Sequence, residues 1–319
     1  MSAVLPIKVA AVVGATASGK TALAVSLAEQ LGGEVISADS MQVYQGLRIA
    51  TAQPTVEEMR GIPHHLLDFV PLDEEFSVAR YCQLGHAAIA DIAARGRLPV
   101  VCGGTGLYVD SLLDNIIFAD IPQDDALREQ LNTEFEQSGG EALLQRLRDI
   151  DPETAAKLSS SDKKRIVRGL EVYTLSGTTL SEYNRRSRAC PDRYQCCIVG
   201  IGYRDREKLY DRINRRVDLM IEDGLLDEVK SFYESLEKNP GKTVVQAIGC
   251  KELLPYLRGE ESIEEAVGNL KRETRRFAKR QLTWFRRNDK IIWIYADECG
   301  SYKELVQRAS DEIRLRLNV

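Results

Sequence analysis

The stretch "IKVAAVVGATASGKTALAVSLAEQLG", residues 7–32, decides the fold of this chain. Residues 7–13 are short, mostly apolar and rich in β-branched side chains, which is typical of a central parallel strand covered on both faces. Residues 20–31 carry Ala, Leu and Val at helical spacing, and glycine follows them, which predicts a helix with a glycine stop. The chain therefore predicts a strand, a glycine-containing loop and a helix in direct succession.

That loop, residues 14–21, matches the pattern G-x4-G-K-[ST] in full. In such loops successive backbone N–H groups face one anion, the helix N-terminus adds its dipole, Lys20 supplies a positive charge and the Thr21 hydroxyl can hold Mg²⁺. A glycine turn without a ligand is the alternative, which the strand and helix on either side disfavour. The predicted diphosphate-binding residues are Gly14, Ala15, Thr16, Ala17, Ser18, Gly19, Lys20 and Thr21. The pattern indicates a di- or triphosphate but does not specify ATP.

Further strand and helix signals indicate an α/β fold. Short strands are predicted at residues 34–40 and 98–106, and a helical stretch at 77–95 lies between them. Strands that alternate with helices predict a parallel, doubly wound sheet. We expect a core like that of P-loop NTPases, with helices on both faces of the sheet.

The pattern changes after about residue 120. Residues 123–190 have the character of successive charged helices without a buried strand, and strand signals return at 196–203 and 290–296. We expect a catalytic core formed by residues 1–120 and 196–319, interrupted by an all-helical insertion at residues 121–195.

Composition limits the class of protein. The 319 residues are 44% hydrophobic, enough for a sizeable core, and the formal net charge of −5 argues against nonspecific coating of nucleic acid. The 7 cysteines show neither a zinc-binding nor a disulfide pattern. No signal peptide or membrane-length apolar run is evident, so we expect a soluble, cytoplasmic protein.

Two side chains lie at the ends of predicted strands next to the phosphate loop. Asp39 closes the second strand and Thr105, within "GGTG", closes the third. Because parallel strands end at one edge of a sheet, both should lie near the loop. From position alone, Asp39 could be a general base, hold a metal through water, or cap a turn.

Basic residues are grouped in three places on this acidic chain. Residues 271–290 contain nine Lys or Arg with aromatic residues between them, and further groups lie at 163–168 and 185–188. Charge alone favours a solvated helix with an aromatic core face, whereas three separate patches make an extended polyanionic partner plausible. Arg216 lies on a predicted amphipathic helix and could face either the phosphate site or solvent.

Several segments together resemble the bacterial tRNA dimethylallyltransferase family, also called tRNA isopentenyltransferase. These segments are "GATASGKT" (14–21), "ISADSMQVYQGL" (36–47), "PHHLLD" (63–68), "FSVARY" (76–81), "VCGGTGLYV" (101–109), "KRIVRGLEVYTLSGTTLSE" (164–182) and "RRFAKRQLTWFRR" (275–287). They span most of the chain in order. A P-loop alone would match dozens of families, so the combination carries the resemblance.

The resemblance implies transfer of the dimethylallyl group of dimethylallyl diphosphate to N6 of adenosine 37, beside the tRNA anticodon. By resemblance, Asp39 is the general base, Thr105 helps to hold the reacting groups, and Lys20 and Arg216 contact the diphosphate. Mg²⁺ is the implied cofactor, and the helical insertion would bind the anticodon arm of a monomeric enzyme. The predicted tRNA contacts are Asp39, Ser40, Met41, Gln42, Thr105, Arg128, Lys163, Lys164, Arg165, Ile166, Val167, Arg275, Arg276, Lys279 and Arg280.

The chain departs from the family pattern at two places. Ala50-Thr51-Ala52-Gln53-Pro54 stands where the family commonly has "GTAKP", and Cys250 stands where a tyrosine is usual. The missing lysine puts a phosphate contact there in doubt. The alternatives are a P-loop kinase for a small molecule or nucleotide, a P-loop switch protein, and a transferase that prenylates free AMP or ADP.

Overall fold

The computed structural model of the chain describes residues 6–114, 116, 124–189, 192–236 and 247–319. The predicted start of the helical insertion, at residue 121, lies outside these ranges. In the described residues, no helix is both long enough and apolar enough to span a membrane.

The core is a six-stranded sheet in which every neighbouring pair of strands is parallel. Its strands are β1 (Ile7–Gly14), β2 (Gly33–Ser37), β3 (His64–His65), β4 (Leu98–Gly103), β5 (Tyr194–Gly202) and β6 (Ile291–Tyr295). Their spatial order is β3-β2-β4-β1-β5-β6. The prediction of a parallel α/β core is confirmed.

Strands β2 and β4 end before the predicted residues, because a turn follows β2 and a helix follows β4. Strand β2 ends at Ser37, and the Asp39 carboxylate then accepts a hydrogen bond from the N–H of Met41, which closes a turn. Strand β4 ends at Gly103, and a helix already begins at Gly106. The two-residue strand β3 was not predicted as a strand.

Fourteen helices are present in the described part of the chain. They are α1 (Lys20–Leu31), α2 (Val56–Met59), α3 (Val78–Ala94), α4 (Gly106–Leu113), α5 (Asp125–Ser138), α6 (Gly140–Ile150), α7 (Pro152–Ala155), α8 (Lys163–Ser176), α9 (Leu180–Ala189), α10 (Arg206–Glu222), α11 (Leu225–Leu236), α12 (Cys250–Leu257), α13 (Ile263–Phe285) and α14 (Tyr302–Leu317). A short 3₁₀ helix, Ala296–Glu298, follows β6.

An apolar core and one very close approach between two backbone segments hold the end of the sheet in place. Val12 of β1 and Val199 of β5 are fully buried against Leu27 of α1 and Ile313 of α14. At the end of β4, a Cβ added to Gly103 would overlap the carbonyl of Ala38. This glycine lets the turn that follows β2 lie directly against the loop that follows β4.

The chain divides into two compact units, one of residues 1–113 with 193–319 and one of Asp114–Asp192. Helices α5–α9 lie in the second unit, which has its own apolar core around Leu131, Leu143 and Leu147. Within it, Asp151 accepts hydrogen bonds from the N–H groups of Thr154 and Ser181. The expected insertion, residues 121–195, overlaps this unit and differs from it at both ends.

Candidate active site

The phosphate loop curls through left-handed backbone conformations at Ala17 (φ 60°) and Gly19 (φ 96°). The N–H of Thr16 donates to the side-chain oxygen of Gln281 (2.8 Å), and the N–H of Ser18 donates to the carbonyl of Ala15 (3.3 Å). The N–H of Thr16 is therefore already hydrogen-bonded within the protein. Helix α1 begins at Lys20, so its first N–H groups lack intrahelical partners and suit an anion.

Lys20 is held close to the loop that it serves. Its Nζ lies 3.4 Å from the carbonyl oxygen of Ala15. Burial lowers the pKa of the Lys20 ammonium below its ordinary value, and the nearby Cys102 and Asp39 act in the opposite direction. A bound diphosphate would favour the charged form further, because opposite charges stabilise each other in a poorly solvated site.

Asp39 and Thr105 are brought together by hydrogen bonds to the backbone on either side of Asp39. The Thr105 hydroxyl accepts from the N–H of Ser40 (3.0 Å), and the N–H of Thr105 donates to the carbonyl of Ala38 (3.2 Å). The Asp39 carboxylate accepts from the N–H of Met41 (3.0 Å). The turn that carries the carboxylate is therefore attached to the threonine loop (residues 103–106) on both sides.

Helix α10 directs two arginines towards this region. Arg216 donates to the carbonyl of Ala52 (3.4 Å), and burial lowers the pKa of its guanidinium. Arg212, one turn earlier, donates from Nε to the carbonyl of Ala17 in the phosphate loop (2.9 Å). The loop contact of Arg212 was not predicted, although its spacing of four residues from Arg216 puts both on one helix face.

Gln53 has a structural role at the position where the family pattern has lysine. Its side-chain amide donates to the carbonyls of Gln42 (3.0 Å) and Tyr44 (3.2 Å). In the reverse direction, the Gln42 amide donates to the carbonyls of Thr51 (3.1 Å) and Ala52 (3.0 Å). Residues 42–53 thus form a cross-linked wall of the site without a second lysine.

A cavity of about 240 Å³ joins these elements. Its polar lining residues, here called the polar wall, are Thr16, Lys20, Thr21, Asp39, Ser40, Gln42, Thr51, Arg216, Lys251, Thr274, Arg280 and Gln281. Its apolar lining residues, here called the apolar wall, include Ile213, Val217, Met220, Ala247, Ile248, Leu270 and Phe277. The lining therefore combines four cationic side chains and several hydrogen-bonding groups with a hydrocarbon surface.

Helix α13 presents one face to the cavity and another to solvent. Arg276, Lys279 and Arg280 are exposed, and Arg280 also lines the cavity. Arg275 differs, because it is half-buried and donates to the side chain of Asn214 (2.6 Å). Of the four predicted tRNA contacts on this helix, Arg275 is thus the one that is half-buried and hydrogen-bonded to α10.

In the helical unit, Lys164 and Arg165 are exposed, whereas Lys163 pairs with Glu136 (2.6 Å). Ile166 and Val167 are 0% and 4% exposed and pack in the apolar core of that unit. Their side chains are therefore buried, and a tRNA contact at these two positions stays a prediction. They occupy the buried face of the helix whose other face is basic.

Arg128 was also a predicted tRNA contact in this unit. It is half-buried and donates to Glu171 (2.8 Å), a buried carboxylate that also pairs with Arg168 (2.9 Å). Both arginines therefore neutralise a buried charge inside the unit.

Two residues of α13 that sequence analysis did not select are tied to the threonine loop and α4. Gln281, 5% exposed, donates to the carbonyl of Gly104 (2.9 Å) while accepting from Thr16. The indole N–H of Trp284 donates to Asp110 (2.6 Å). The sequence signal for these two residues is their spacing. Gln281 and Trp284 are three residues apart in a strongly charged helix, which places both on one face.

Replacing Lys20 with Met should weaken binding of inorganic diphosphate by at least about tenfold, because the loop loses its one side-chain ammonium group. Isothermal titration calorimetry measures the dissociation constant. Lys303→Met, an exposed lysine of α14, is the matched control and should bind as the wild type does. Equal affinity in the two variants would show that Lys20 does not contact the anion.

Comparisons with known proteins agree with this geometry. Residues 42–288 match the family model described as IPP transferase. The tRNA dimethylallyltransferase of Acetivibrio thermocellus is 47% identical over 296 residues, covering 93% of this chain and 94% of that protein.

Solved structures show the same likeness. The full-length tRNA isopentenylpyrophosphate transferase of Bacillus halodurans superposes with a TM-score of 0.73 at 42% identity, covering 98% of this chain and 97% of that one. A eukaryotic dimethylallyltransferase acting on tRNA gives a TM-score of 0.82 at 31% identity, covering 95% of this chain and 77% of that one. This chain belongs to the IPP transferase family.

Proposed function

We propose that this protein transfers the dimethylallyl group of dimethylallyl diphosphate to N6 of adenosine 37 in tRNA and releases diphosphate. The observation that carries the proposal is the mixed lining of the cavity, which combines Lys20 and Arg216 with Val217 and Phe277. The diphosphate ester of a short branched hydrocarbon combines the same two characters. The names of the relatives supply the tRNA acceptor and the prenyl donor class.

The polar wall serves the leaving group. As the bond between C1 of the dimethylallyl group and the diphosphate oxygen breaks, negative charge grows on that oxygen. Lys20, Arg216 and the N–H groups at the start of α1 stabilise this charge from fixed positions, which lowers the barrier to bond cleavage. The phosphate loop therefore binds a departing diphosphate, and no phosphoryl group is transferred.

The residues at this wall fit the Mg²⁺ that the resemblance implies. The Thr21 hydroxyl lines the cavity and offers a hard oxygen donor. Within the described ranges, no group of three His, Cys, Asp or Glu could hold a metal alone. That suits an ion that takes its other ligands from diphosphate and water, as Mg²⁺ commonly does. Held by Thr21, it would neutralise charge on the leaving group.

Asp39 supplies the base for the acceptor. The N6 amine of adenosine is a weak nucleophile, because its lone pair is delocalised into the ring. As N6 forms its bond to C1, the Asp39 carboxylate takes one amine proton, so that a neutral secondary amine remains. The Thr105 hydroxyl holds the turn that carries Asp39 and lies beside Ser40, where the base would enter.

The exposed face of α13 supports a tRNA acceptor. Arg276, Lys279 and Arg280 are solvent-exposed on one helix, and Arg280 reaches the cavity wall. We expect them to contact phosphates, with Lys164 and Arg165 of the helical unit contacting the anticodon arm. The target base must leave its stack to reach the cavity, which costs less in an anticodon loop than in a duplex. We propose that the enzyme acts as a monomer in the cytoplasm.

The kinase alternative accounts less well for the cavity. A kinase would use the same loop to bind ATP and would need an acceptor for the γ-phosphoryl group. It gives no role to the apolar wall or to the basic face of α13. Free AMP or ADP as acceptor would likewise leave that basic face unused.

Asp39→Asn should lower kcat by about 100-fold or more, since the amide keeps the hydrogen bond from Met41 but cannot accept the amine proton. The tRNA dissociation constant should stay within about twofold, because few binding contacts change. Single-turnover kinetics and filter binding measure the two quantities. Asp73→Asn, at an exposed aspartate, is the control. Wild-type turnover in Asp39→Asn would reject the general-base role.

The double variant Arg276→Ala/Lys279→Ala should weaken tRNA binding and reduce the slope of log K against log salt concentration by up to about two, one for each lost phosphate contact. The matched control removes two exposed charges from α14, Lys303→Ala/Arg314→Ala. Binding isotherms at several salt concentrations give both slopes. Identical slopes for the wild type and the α13 variant would place the tRNA elsewhere.

A further inference from the structure

We propose that Gln281 is a positioning residue that joins the phosphate loop to the threonine loop and so sets the geometry between leaving group and general base. The inference rests on the proposed function. Gln281 lines the cavity, and both ends of its amide are hydrogen-bonded to the two loops. Gln281 is 5% exposed and lies in the middle of two loops that come from different strands.

The Gln281 amide has an acceptor oxygen and a donor nitrogen, and each of these two atoms has a hydrogen-bonding partner in a different loop. The side-chain oxygen accepts from the N–H of Thr16 (2.8 Å), and the side-chain nitrogen donates to the carbonyl of Gly104 (2.9 Å). Reversing the amide would set donor against donor and acceptor against acceptor. One orientation therefore satisfies both loops, and both contacts are lost together if the amide is removed.

These two bonds complete a continuous path across the site. It runs from Thr16 through Gln281 to Gly104, and the next residue, Thr105, bonds to the backbone of Ala38 and Ser40 on either side of Asp39. The pairing of β1 with β4 and of β4 with β2 already places these loops side by side. Gln281 adds a side-chain bridge beyond the ends of the strands, where the leaving group and the base would lie.

The Gln281 side chain is closely packed against the threonine loop. A Cβ added to Gly104 would overlap the Gln281 side chain, and one added to Gly106 would overlap Trp284. Trp284 also donates to Asp110, so α13 is attached to both the threonine loop and α4. The same helix carries the exposed basic face, so a tRNA bound there and the two loops share one rigid element.

Loss of this bridge should lower the rate of the chemical step. An error of about 1 Å between reacting atoms can cost about 100-fold in rate, while substrate contacts elsewhere persist. Gln281→Met, which is close in shape and lacks both hydrogen-bonding groups, should lower kcat by about 10- to 100-fold and change the KM for tRNA by less than about threefold.

The test compares wild type, Gln281→Met, Thr105→Ala and the double variant, with Gln307→Met at an exposed helix position as the matched control. Prenylated tRNA is measured at saturating and limiting substrate. Because Gln281 and Thr105 act in one path, the kcat losses of the two single variants should not multiply in the double variant. If Gln281→Met fails to fold, Gln281→Glu, which keeps the acceptor for Thr16 and the length of the side chain, takes its place.

Each outcome has a defined meaning. A low kcat with a preserved KM and non-multiplying losses supports the bridge, provided that Gln307→Met behaves as the wild type. Wild-type kcat in the folded Gln281 variant, or losses that multiply, overturns it while leaving the proposed reaction intact. Absence of prenylated tRNA from the wild type itself contradicts the proposed function and, with it, this inference.

Discussion

The order of three parallel strands is the constraint on which the site depends. Strand β4 lies between β2 and β1, and all three end at the same edge of the sheet. The loop after β4 is therefore placed between the turn after β2 and the phosphate loop after β1. This order puts Thr105 between Asp39 and the phosphate loop, and the hydrogen bonds of Thr105 and Gln281 then join the three segments. Gly103 makes the close approach possible, because a side chain there would displace Ala38.

The electrostatics of the cavity follow from this placement. Positive charge from Lys20 and Arg216 is partly buried, and burial lowers the pKa of both groups. An anion in the cavity would favour the charged form of both groups, because opposite charges stabilise each other in a poorly solvated site. The same cavity is also lined by Val217, Met220 and Phe277, so cationic and hydrocarbon side chains meet in one space.

Sequence predicted the parts of the site that obey local rules. The G-x4-G-K-[ST] loop has a fixed spacing, and Asp39 and Thr105 follow strands whose ends a parallel sheet must bring together. The strand ends were less predictable, since Asp39 closes its own turn with Met41 and stops β2 at Ser37. Strand β3, two histidines long, gives too little pattern to recognise.

Tertiary contacts account for the remaining differences. Gln281 and Arg212 bond to the phosphate loop from helices distant in sequence, and no local pattern encodes those partners. Ile166 and Val167 belong to a segment with a basic face, but helical periodicity turns their own side chains into the core. The resemblance assigned tRNA contacts to the whole segment 163–167. In the structure, one face of this helix is buried and the other is exposed.

The most direct test of the central claim is nucleoside mass spectrometry of unmodified tRNA after incubation with the protein, Mg²⁺ and dimethylallyl diphosphate. The account predicts one N6-dimethylallyladenosine per tRNA, located at adenosine 37, with release of diphosphate. Unmodified tRNA accompanied by turnover of ATP, or equal prenylation of free AMP or ADP, would contradict it.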